Sequence, residues 1–299
     1  MTNLTSWISA ARLRTLPLSI SGILVGSSIA VAQGSFNAVI FSLALATTLG
    51  LQILSNFAND YGDFVKGTDN EDRVGPERAL QSGLITKEEM FWGMVGTAVV
   101  TFFFALALIF IAFGVNSLYT LLFLVLGIAA IAAAVKYTVG ESAYGYKGLG
   151  DLFVFLFFGI VGVYGCYFLY SLKWDWTVLL PSFTIGLLSA GVLNLNNMRD
   201  RISDAKAGKN TLVVKMGAER ARKYHYFLIL TAFTTLILYT ALTFTGIEDL
   251  IYLVAFVPLL QHLQRVMENK DPEQLDPELK KLALSTFLLA LLFGLGQIL

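Results

Sequence analysis

Long stretches of this chain contain no Asp, Glu, Lys or Arg, and the charged residues are concentrated in the segments between them. A helix that crosses a lipid bilayer needs about 20 predominantly apolar residues. Two of the charge-free stretches are long enough for two helices each, with turn-forming residues at 33–35 and 114–117 near their middles. The other five hold one helix each, so the pattern predicts an all-α membrane protein with nine transmembrane helices. The charge-free stretches are 15–59, 90–135, 152–172, 176–198, 224–247, 250–264 and 282–299.

The composition argues against a soluble protein. Hydrophobic residues make up 56% of the 299-residue chain and charged residues 14%, whereas soluble domains average roughly 25% charged residues. Basic and acidic residues number 21 each, so the net charge of zero gives no reason to expect a nucleic-acid partner. Cys166 is the single cysteine and cannot form an internal disulfide, which leaves it as a small core residue.

The distribution of basic residues predicts an orientation in the membrane. If the N-terminus is cytoplasmic, every lysine and arginine except Lys173 falls in a segment on the cytoplasmic side. Positive residues prefer that side during insertion. We therefore expect a multi-pass protein of the cell inner (plasma) membrane, with its active site on the cytoplasmic side. The long charged loops on that side are 60–87, 136–150, 199–222 and 266–280.

Two polar clusters occur where the second and sixth predicted helices reach the cytoplasmic side. Each consists of an asparagine and two aspartates whose spacing, i, i+3 or i+4, and i+7, places them on one helix face. We name them the first acidic cluster and the second acidic cluster. Their members are Asn56, Asp60 and Asp63 in the first and Asn197, Asp200 and Asp204 in the second. Charges near a bilayer are costly, so two matched clusters indicate a function.

The chemistry of these clusters predicts a metal–diphosphate site. Oxygen ligands without histidine or cysteine suit a hard cation such as Mg²⁺, which shares its coordination with substrate phosphates. Basic residues flank both clusters and would bind the same phosphates. They are Lys66, Arg73 and Arg78 beside the first cluster and Arg199, Arg201, Lys206 and Lys209 beside the second. The alternative is that each cluster is merely a solvated helix end, and the occurrence of two matched clusters weakens it.

Other polar residues are expected to have structural roles. Hydrogen bonds between helices explain three asparagines as well as ligand binding does: Asn56, Asn194 and Asn196. His225 and His262 have no acidic partner at ligand spacing, so we expect them at the membrane interface. Segment 268–278 is expected to be a solvated loop, with Asp276 as the N-cap of the ninth helix. Residues 86–89 form a capping box that predicts the start of the third helix.

Segments around both clusters resemble the UbiA superfamily of intramembrane prenyltransferases. Members of that superfamily have nine transmembrane helices and two Asp-rich motifs, which follow helices two and six. The resemblance covers nearly the whole chain, and it is greatest to the branch that prenylates 1,4-dihydroxy-2-naphthoate. The segments that carry it are 14–18, 59–63, 75–79, 137–140, 144–146, 148–151, 196–200 and 208–214.

The resemblance implies that two Mg²⁺ ions bridge the diphosphate of an all-trans polyprenyl diphosphate, held by both clusters and the flanking basic residues. The implied ligands are Asn59, Asp60 and Asp63 for one ion and Asn197, Asp200 and Asp204 for the other. Gly67 stands where the broad superfamily pattern has a further aspartate. This departure leaves open whether Asp69 or Asp60 completes the metal shell.

The resemblance also implies a reaction. A polyprenyl group would pass to 1,4-dihydroxy-2-naphthoate with loss of CO₂ and diphosphate, giving demethylmenaquinol for menaquinone biosynthesis. The electron-rich ring attacks an allylic cation, and the prenyl tail lies in an apolar groove open to the bilayer. Tyr137 either faces the cation with its ring or lines the interface. Charge alone suggests Lys136, Lys206 or Lys209 as partners of the acceptor carboxylate.

Alternative functions remain at this point. A related enzyme with another aromatic acceptor, such as 4-hydroxybenzoate or homogentisate, would use the same metal site. A transporter with inverted repeats would carry ionisable residues near the membrane midplane, and the charge-free spans argue against it.

We expect one prenyltransferase domain, 1–299. Within it, the two clusters recur at a spacing that suggests a pseudo-repeat. Its halves would be 1–140 and 141–270, followed by a ninth helix at 279–299.

Overall fold

The computed structural model describes residues 3–69, 74–115, 117–269 and 271–299, and within these residues all regular structure is helical. Nine of the described helical stretches are long and apolar enough to cross a membrane. The all-α membrane architecture and the helix count are thereby confirmed. The nine stretches are Leu4–Ala32, Ala38–Val65, Lys87–Phe113, Leu118–Lys136, Gly150–Ser171, Trp176–Lys206, Ala218–Thr243, Ile247–Glu268 and Pro272–Ile298.

Local capping signals explain where several helices begin. The Asn37 side chain accepts from the first backbone amides of the second span. Thr86 and Glu89 form the predicted capping box before the third span, and Ser117 caps the fourth. The α-helices are α1 Leu4–Ala11, α2 Leu16–Ala32, α3 Ala38–Val65, α4 Lys87–Phe113, α5 Leu118–Lys136, α6 Gly150–Val154, α7 Cys166–Ser171, α8 Leu179–Lys206, α9 Leu212–Met216, α10 Ala218–Thr243, α11 Phe256–Glu268 and α12 Asp276–Ile298.

Four spans are less regular than the sequence predicts. The first is interrupted by Arg12 and a 3₁₀ turn between α1 and α2. The fifth contains a π-helical segment, Phe155–Gly165, between α6 and α7. The eighth starts as a 3₁₀ helix, Ile247–Ala255, before α11. The ninth is entered through the 3₁₀ turn Pro272–Leu275, so Leu275 rather than Asp276 is the N-cap of α12.

Close backbone contact explains why glycine lies within the π-helical segment. A Cβ on Gly159 would lie 2.5 Å from the backbone oxygen of Ser182 and 2.8 Å from Cα of Gly186. Such distances exclude any side chain, so the fifth and sixth spans touch through their backbones. The contact fixes the fifth span against α8, which carries the second acidic cluster.

The helices pack in two groups. In one, α8 packs against α10 and the π-helical segment, and α12 packs against α2. In the other, α3 packs against α4 and α5. Buried apolar clusters fill each group, and α2 contacts α3 where the groups meet. The carboxyl end of α3, with Asp60 and Asp63 of the first acidic cluster, and the Arg199 side chain of α8 border a cavity between the groups.

The two histidines are buried rather than interfacial, so the expectation from the sequence is wrong. His225 and His262 are 0% and 1% exposed, and their Nε2 atoms lie 2.9 Å apart. His262 Nδ1 lies 2.8 Å from Oε2 of Glu278. Glu278 is 5% exposed and therefore not in a solvated loop, and its other oxygen contacts Lys281 and Arg265. These contacts join α10, α11 and α12. They supply partners for polar groups that are buried between the three helices.

Glu278→Ala is expected to lower the thermal stability of the purified protein. The substitution leaves the buried Nδ1 atom of His262 without its partner, and an unsatisfied buried polar group costs about 1–3 kcal/mol. We expect the lower end, because Lys281 and Arg265 are partly exposed. Thermal unfolding in detergent measures the effect, and the exposed Glu273 supplies a matched control as Glu273→Ala. Equal unfolding midpoints for the two variants would contradict a stabilising network.

Candidate active site

An elongated cavity of about 870 Å³ lies beside the first acidic cluster. Its lining along α3 runs from Asp63 to Ala44, which corresponds to about 28 Å of helix at 1.5 Å per residue. Polar residues line the end near Asp63, which we call the head of the cavity. Apolar residues such as Ile109, Phe123 and Leu169 line the other end. This shape suits a ligand with a charged group and a long apolar tail.

Arg78 lies at the centre of the first acidic cluster. Its Nη1 atom is 2.7 Å from Asp63 Oδ2 and 3.0 Å from Asp69 Oδ2, and its Nε atom is 3.7 Å from Asp60 Oδ1. Nη1 also donates to the backbone oxygen of Asn59 at 2.8 Å. Asp60 and Asp63 are each 1% exposed, so the guanidinium supplies the positive charge that buried carboxylates require. The structure thus brings these predicted residues together.

Two residues at this cluster do not emerge from the sequence patterns. Arg12 binds Asp60 with its guanidinium, from a left-handed backbone conformation with φ of 50°. Such a conformation is costly for a residue other than glycine and is typical of functional sites. Tyr146 donates its hydroxyl to Asp63 Oδ1 at 2.7 Å. The separations of 48 and 83 residues explain why no local pattern reveals either contact.

The second acidic cluster lies at the end of α8 and also has basic partners. Arg199 donates from Nε and Nη2 to the two oxygens of Asp200, at 2.7 and 2.8 Å. Its Nη1 atom binds Asp276 at the start of α12. Arg199, Asp276 and Asn196 line the cavity, whereas Asp200 and Asp204 lie behind them. The resemblance makes both aspartates metal ligands, and in this structure basic side chains contact them.

Lys209 joins the two clusters. Its Nζ atom lies 3.6 Å from Asp63 Oδ2 and 3.8 Å from Asp204 Oδ1. Lys209 also lines the cavity. Carboxylates from α3 and α8 therefore lie around one positive charge at the head of the cavity. This is the electrostatic arrangement that a site for a cation and a diphosphate needs.

The local charges determine which groups are protonated here. Burial alone would lower the pKa of Arg78, but the carboxylates of Asp63, Asp69 and Asp60 outweigh burial and raise that pKa. Burial raises the pKa of the Tyr146 hydroxyl, and the Asp63 carboxylate raises it further. Arg78 therefore stays charged and Tyr146 stays protonated at neutral pH, so both can donate to Asp63.

A row of aromatic rings forms one wall of the cavity. Tyr137 contacts Tyr144 edge to face, with ring centroids 5.3 Å apart. Tyr144 stacks on Phe153 at 4.0 Å, and Phe153 stacks on Phe157 at 6.2 Å. All four line the cavity. Burial raises the pKa of Tyr137, so its ring is neutral. Tyr137 thus lies in the cavity wall, beside the head of the cavity.

The remaining predicted residues lie beside the cavity rather than in its wall. Asn56 donates to the backbone oxygen of Ala11 at 2.8 Å and to Thr15 Oγ1 at 3.1 Å, which favours the interhelical interpretation. Lys66 donates to the backbone oxygen of Thr138 at 2.8 Å. Predicted residues that are described but do not line the cavity also include Lys136, Asn197, Arg201 and Lys206. Arg73 lies outside the described residues.

The donor atoms at the clusters fit a hard divalent cation. Asp60 and Asp63 of α3 line the cavity with the amide of Asn59, and the Asp204 carboxylate of α8 lies near the same Lys209 Nζ atom as Asp63 does. Carboxylate and amide oxygens are the ligands that Mg²⁺ prefers in proteins. Among the described residues no group of three acidic, histidine or cysteine side chains is preformed as a metal site. Basic side chains hold these carboxylates instead, and a bound ion would replace some of their ion pairs.

The whole chain has relatives of known family. It matches the model of the UbiA prenyltransferase family over residues 19–292. It is 42% identical to a Haemophilus influenzae protein named 1,4-dihydroxy-2-naphthoate octaprenyltransferase, over 98% of this chain and 96% of that protein. A protein of the same name from Escherichia coli is 41% identical over 97% of this chain and 94% of that protein.

A solved structure shares the fold. It is described as a UbiA homologue from Archaeoglobus fulgidus bound to DMAPP and Mg²⁺. The TM-score is 0.63 at 16% sequence identity, and the match covers 96% of this chain and 99% of that one. At this identity the likeness shows the fold alone, whereas the family match and the two relatives extend along nearly the whole sequence. The chain therefore belongs to the UbiA prenyltransferase family, as the segments around its acidic clusters predict.

Proposed function

We propose that this enzyme transfers an all-trans polyprenyl group from polyprenyl diphosphate to 1,4-dihydroxy-2-naphthoate. The bond between the prenyl carbon and the diphosphate oxygen breaks, a carbon–carbon bond to the ring forms, and the carboxyl group leaves as CO₂. The product is demethylmenaquinol, for menaquinone biosynthesis. One observation carries the proposal: carboxylates of both clusters meet at Lys209, at the head of a cavity with a long apolar end. The names of the two relatives support the choice of acceptor.

The head of the cavity would bind the diphosphate of the donor. Mg²⁺, when bound there, would supply positive charge that stabilises the leaving diphosphate. We assign two ions, one to each cluster. The proposed ligands are Asn59, Asp60, Asp63 and Asp69 for one ion and Asn197, Asp200 and Asp204 for the other. Arg12, Arg78 and Lys209 line the cavity beside these ligands and would donate to phosphate oxygens.

The apolar part of the cavity would hold the prenyl tail and the reacting carbon. Positive charge develops on that carbon as its bond to diphosphate breaks, and the face of a neutral aromatic ring attracts positive charge. Tyr137 and Tyr144 lie in the cavity wall and would provide such faces. The same wall excludes water, which would otherwise capture the carbon.

The orientation of the chain is part of the proposal. The nine candidate spans make it a multi-pass membrane protein. Nearly all lysines and arginines lie in segments on the same side as the acidic clusters. Because positive residues stay in the cytoplasm during insertion, the head of the cavity would open to the cytoplasm from the inner membrane.

Prenyl transfer by membranes that contain the protein tests the reaction. With 1,4-dihydroxy-2-naphthoate and a polyprenyl diphosphate we expect demethylmenaquinol in the presence of Mg²⁺ and none after chelation. Asp63→Asn and Asp200→Asn should each lower kcat/KM by at least about 100-fold, which corresponds to roughly 2.7 kcal/mol of transition-state stabilisation. Product formation is measured by chromatography of the extracted lipids.

Asp175→Asn is the matched control for these variants. Asp175 Oδ1 accepts a hydrogen bond from the backbone amide of Thr177, away from the cavity lining. Because asparagine is an equally good capping residue, activity should be unchanged. Product with 4-hydroxybenzoate but not with the naphthoate would assign the enzyme to another acceptor. If the folded, inserted protein prenylates no aromatic acceptor, the proposed function is wrong.

Arg78→Gln is expected to make stability depend on Mg²⁺. Arg78 contacts Asp60, Asp63 and Asp69, and its loss leaves buried carboxylates that repel each other, at a cost of about 3–5 kcal/mol. Mg²⁺ should restore much of that loss by binding the same carboxylates. Thermal unfolding with and without Mg²⁺ measures the difference. A variant whose unfolding midpoint ignores Mg²⁺ would contradict metal binding at the first cluster.

A further inference from the structure

Two basic residues in the cavity wall differ from the others in their partners. Lining cations such as Arg78, Arg199 and Lys209 bind carboxylates of the acidic clusters or of α12. Arg14 and Lys280 also line the cavity. Within the described part of the chain, neither forms a salt bridge or a side-chain hydrogen bond. Both side chains are exposed at the rim of the cavity, so their charges remain available to an anionic ligand.

The packing of α2 against α12 places these two cations near the same end of the helix pair. The helices run in the same direction, and a Cβ on Gly294 would lie 3.4 Å from Cβ of Ser28. Lys280 precedes Gly294 by fourteen residues, and Arg14 precedes Ser28 by the same number. Lys280 lies on α12 and Arg14 lies in the 3₁₀ turn that leads into α2, so both cations lie near the same end of this helix pair, about fourteen residues before the contact.

The packing of α8 against α12 places polar groups of α8 opposite this part of α12. These helices are antiparallel, and two contacts set their register. A Cβ on Gly191 would lie 3.4 Å from Cδ2 of Leu282, and Arg199 binds Asp276. Cavity-lining residues of α8 between and just before these points therefore face Lys280 and its neighbours across the cavity.

Two of those α8 residues have unused hydrogen-bonding capacity. Ser189 is 1% exposed, and its Oγ atom has no hydrogen-bond partner among the described residues. Asn196 accepts from Arg199 Nη2 with its Oδ1 atom at 3.0 Å, which leaves its Nδ2 group as a donor. Both side chains line the cavity. A buried hydroxyl without a partner costs free energy, so its position in the wall points to a ligand.

Apolar residues separate these polar groups. Leu18 of α2, Val192 of α8, and Pro277 and Ala283 of α12 line the same part of the cavity. We call this region the α2–α8–α12 corner. It combines positive charge at the rim, hydrogen-bonding groups on one side and apolar walls. A planar aromatic ring with a carboxylate and hydroxyl groups matches that combination.

We propose that the α2–α8–α12 corner binds the aromatic acceptor, a hydroxylated aromatic carboxylate. Lys280, assisted by Arg14, binds the carboxylate at the rim, and Ser189 and Asn196 bind ring hydroxyls. This assignment rests on the proposed function and names the residues that bind its aromatic acceptor. It replaces the three lysines suggested by charge: Lys209 is committed to Asp63 and Asp204, and Lys136 and Lys206 do not line the cavity.

Steady-state kinetics with each substrate varied in turn tests the assignment. Lys280→Gln should raise KM for 1,4-dihydroxy-2-naphthoate about tenfold, because a charge-assisted hydrogen bond is lost. KM for the polyprenyl diphosphate should change less than about twofold. Lys280→Arg should retain most of the acceptor affinity. Lys223→Gln is the matched control, because Lys223 is 72% exposed and remote from the cavity.

Competitive inhibition measures the contribution of the acceptor's carboxylate to binding. Against the wild-type enzyme, 1-hydroxy-2-naphthoate should inhibit competitively with the acceptor and more strongly than 1-naphthol, which lacks the carboxylate. Lys280→Gln should remove most of that difference while the 1-naphthol inhibition constant stays the same. Ser189→Ala should weaken both inhibitors, because each carries a hydroxyl group, without lowering the unfolding midpoint.

The outcomes separate this inference from the proposed function. Normal transfer by Lys280→Gln with an unchanged KM for the acceptor would overturn the inference and leave the reaction in place. A higher KM for the diphosphate instead of the acceptor would also overturn it and assign Lys280 to the donor. Absence of transfer to any aromatic acceptor by the wild-type enzyme would remove the proposed function, and this inference with it.

Discussion

The structure depends on the neutralisation of several carboxylates that lie close together in an apolar helical bundle. Asp60 and Asp63 are each 1% exposed, and unpaired charges at that burial would destabilise the fold by several kcal/mol. Arg78 contacts both of them, and Lys209 links Asp63 to Asp204 of the other cluster. Charged groups at such a position are costly and tend to mark functional sites. The candidate site therefore lies where these ion pairs hold the helices together.

The partners of these carboxylates come from distant parts of the chain. Arg12 reaches Asp60 from the end of α1, and Lys209 reaches both clusters from the segment after α8. Asp276 of the last span binds Arg199 beside the second cluster. The ion pairs therefore draw the first, second, sixth and ninth spans around the cavity. Binding of a cation and a diphosphate would exchange some of these ion pairs for new ones.

The sequence predicts the spans and the clusters because both are local patterns: runs without charge, and polar residues at i, i+3 or i+4, and i+7. Contacts between distant segments leave no such pattern. From the sequence, Arg12 is only one of the basic residues that set the orientation of the chain in the membrane. In the structure it binds Asp60. His262 has no acidic residue at ligand spacing, yet Glu278 reaches it from sixteen residues away. The π-helical segment, Phe155–Gly165, packs against α8. The helix propensities of its own residues do not predict such a contact.

The central claim is that acidic residues of both clusters hold metal ions around one diphosphate. Anomalous X-ray diffraction tests it most directly, from crystals grown with Mn²⁺ in place of Mg²⁺ and a polyprenyl thiolodiphosphate that does not ionise. The account predicts Mn²⁺ peaks in coordination contact with Asp60 or Asp63 and with Asp200 or Asp204, and a diphosphate between them. A diphosphate bound away from the clusters, or metal at one cluster alone, would contradict it.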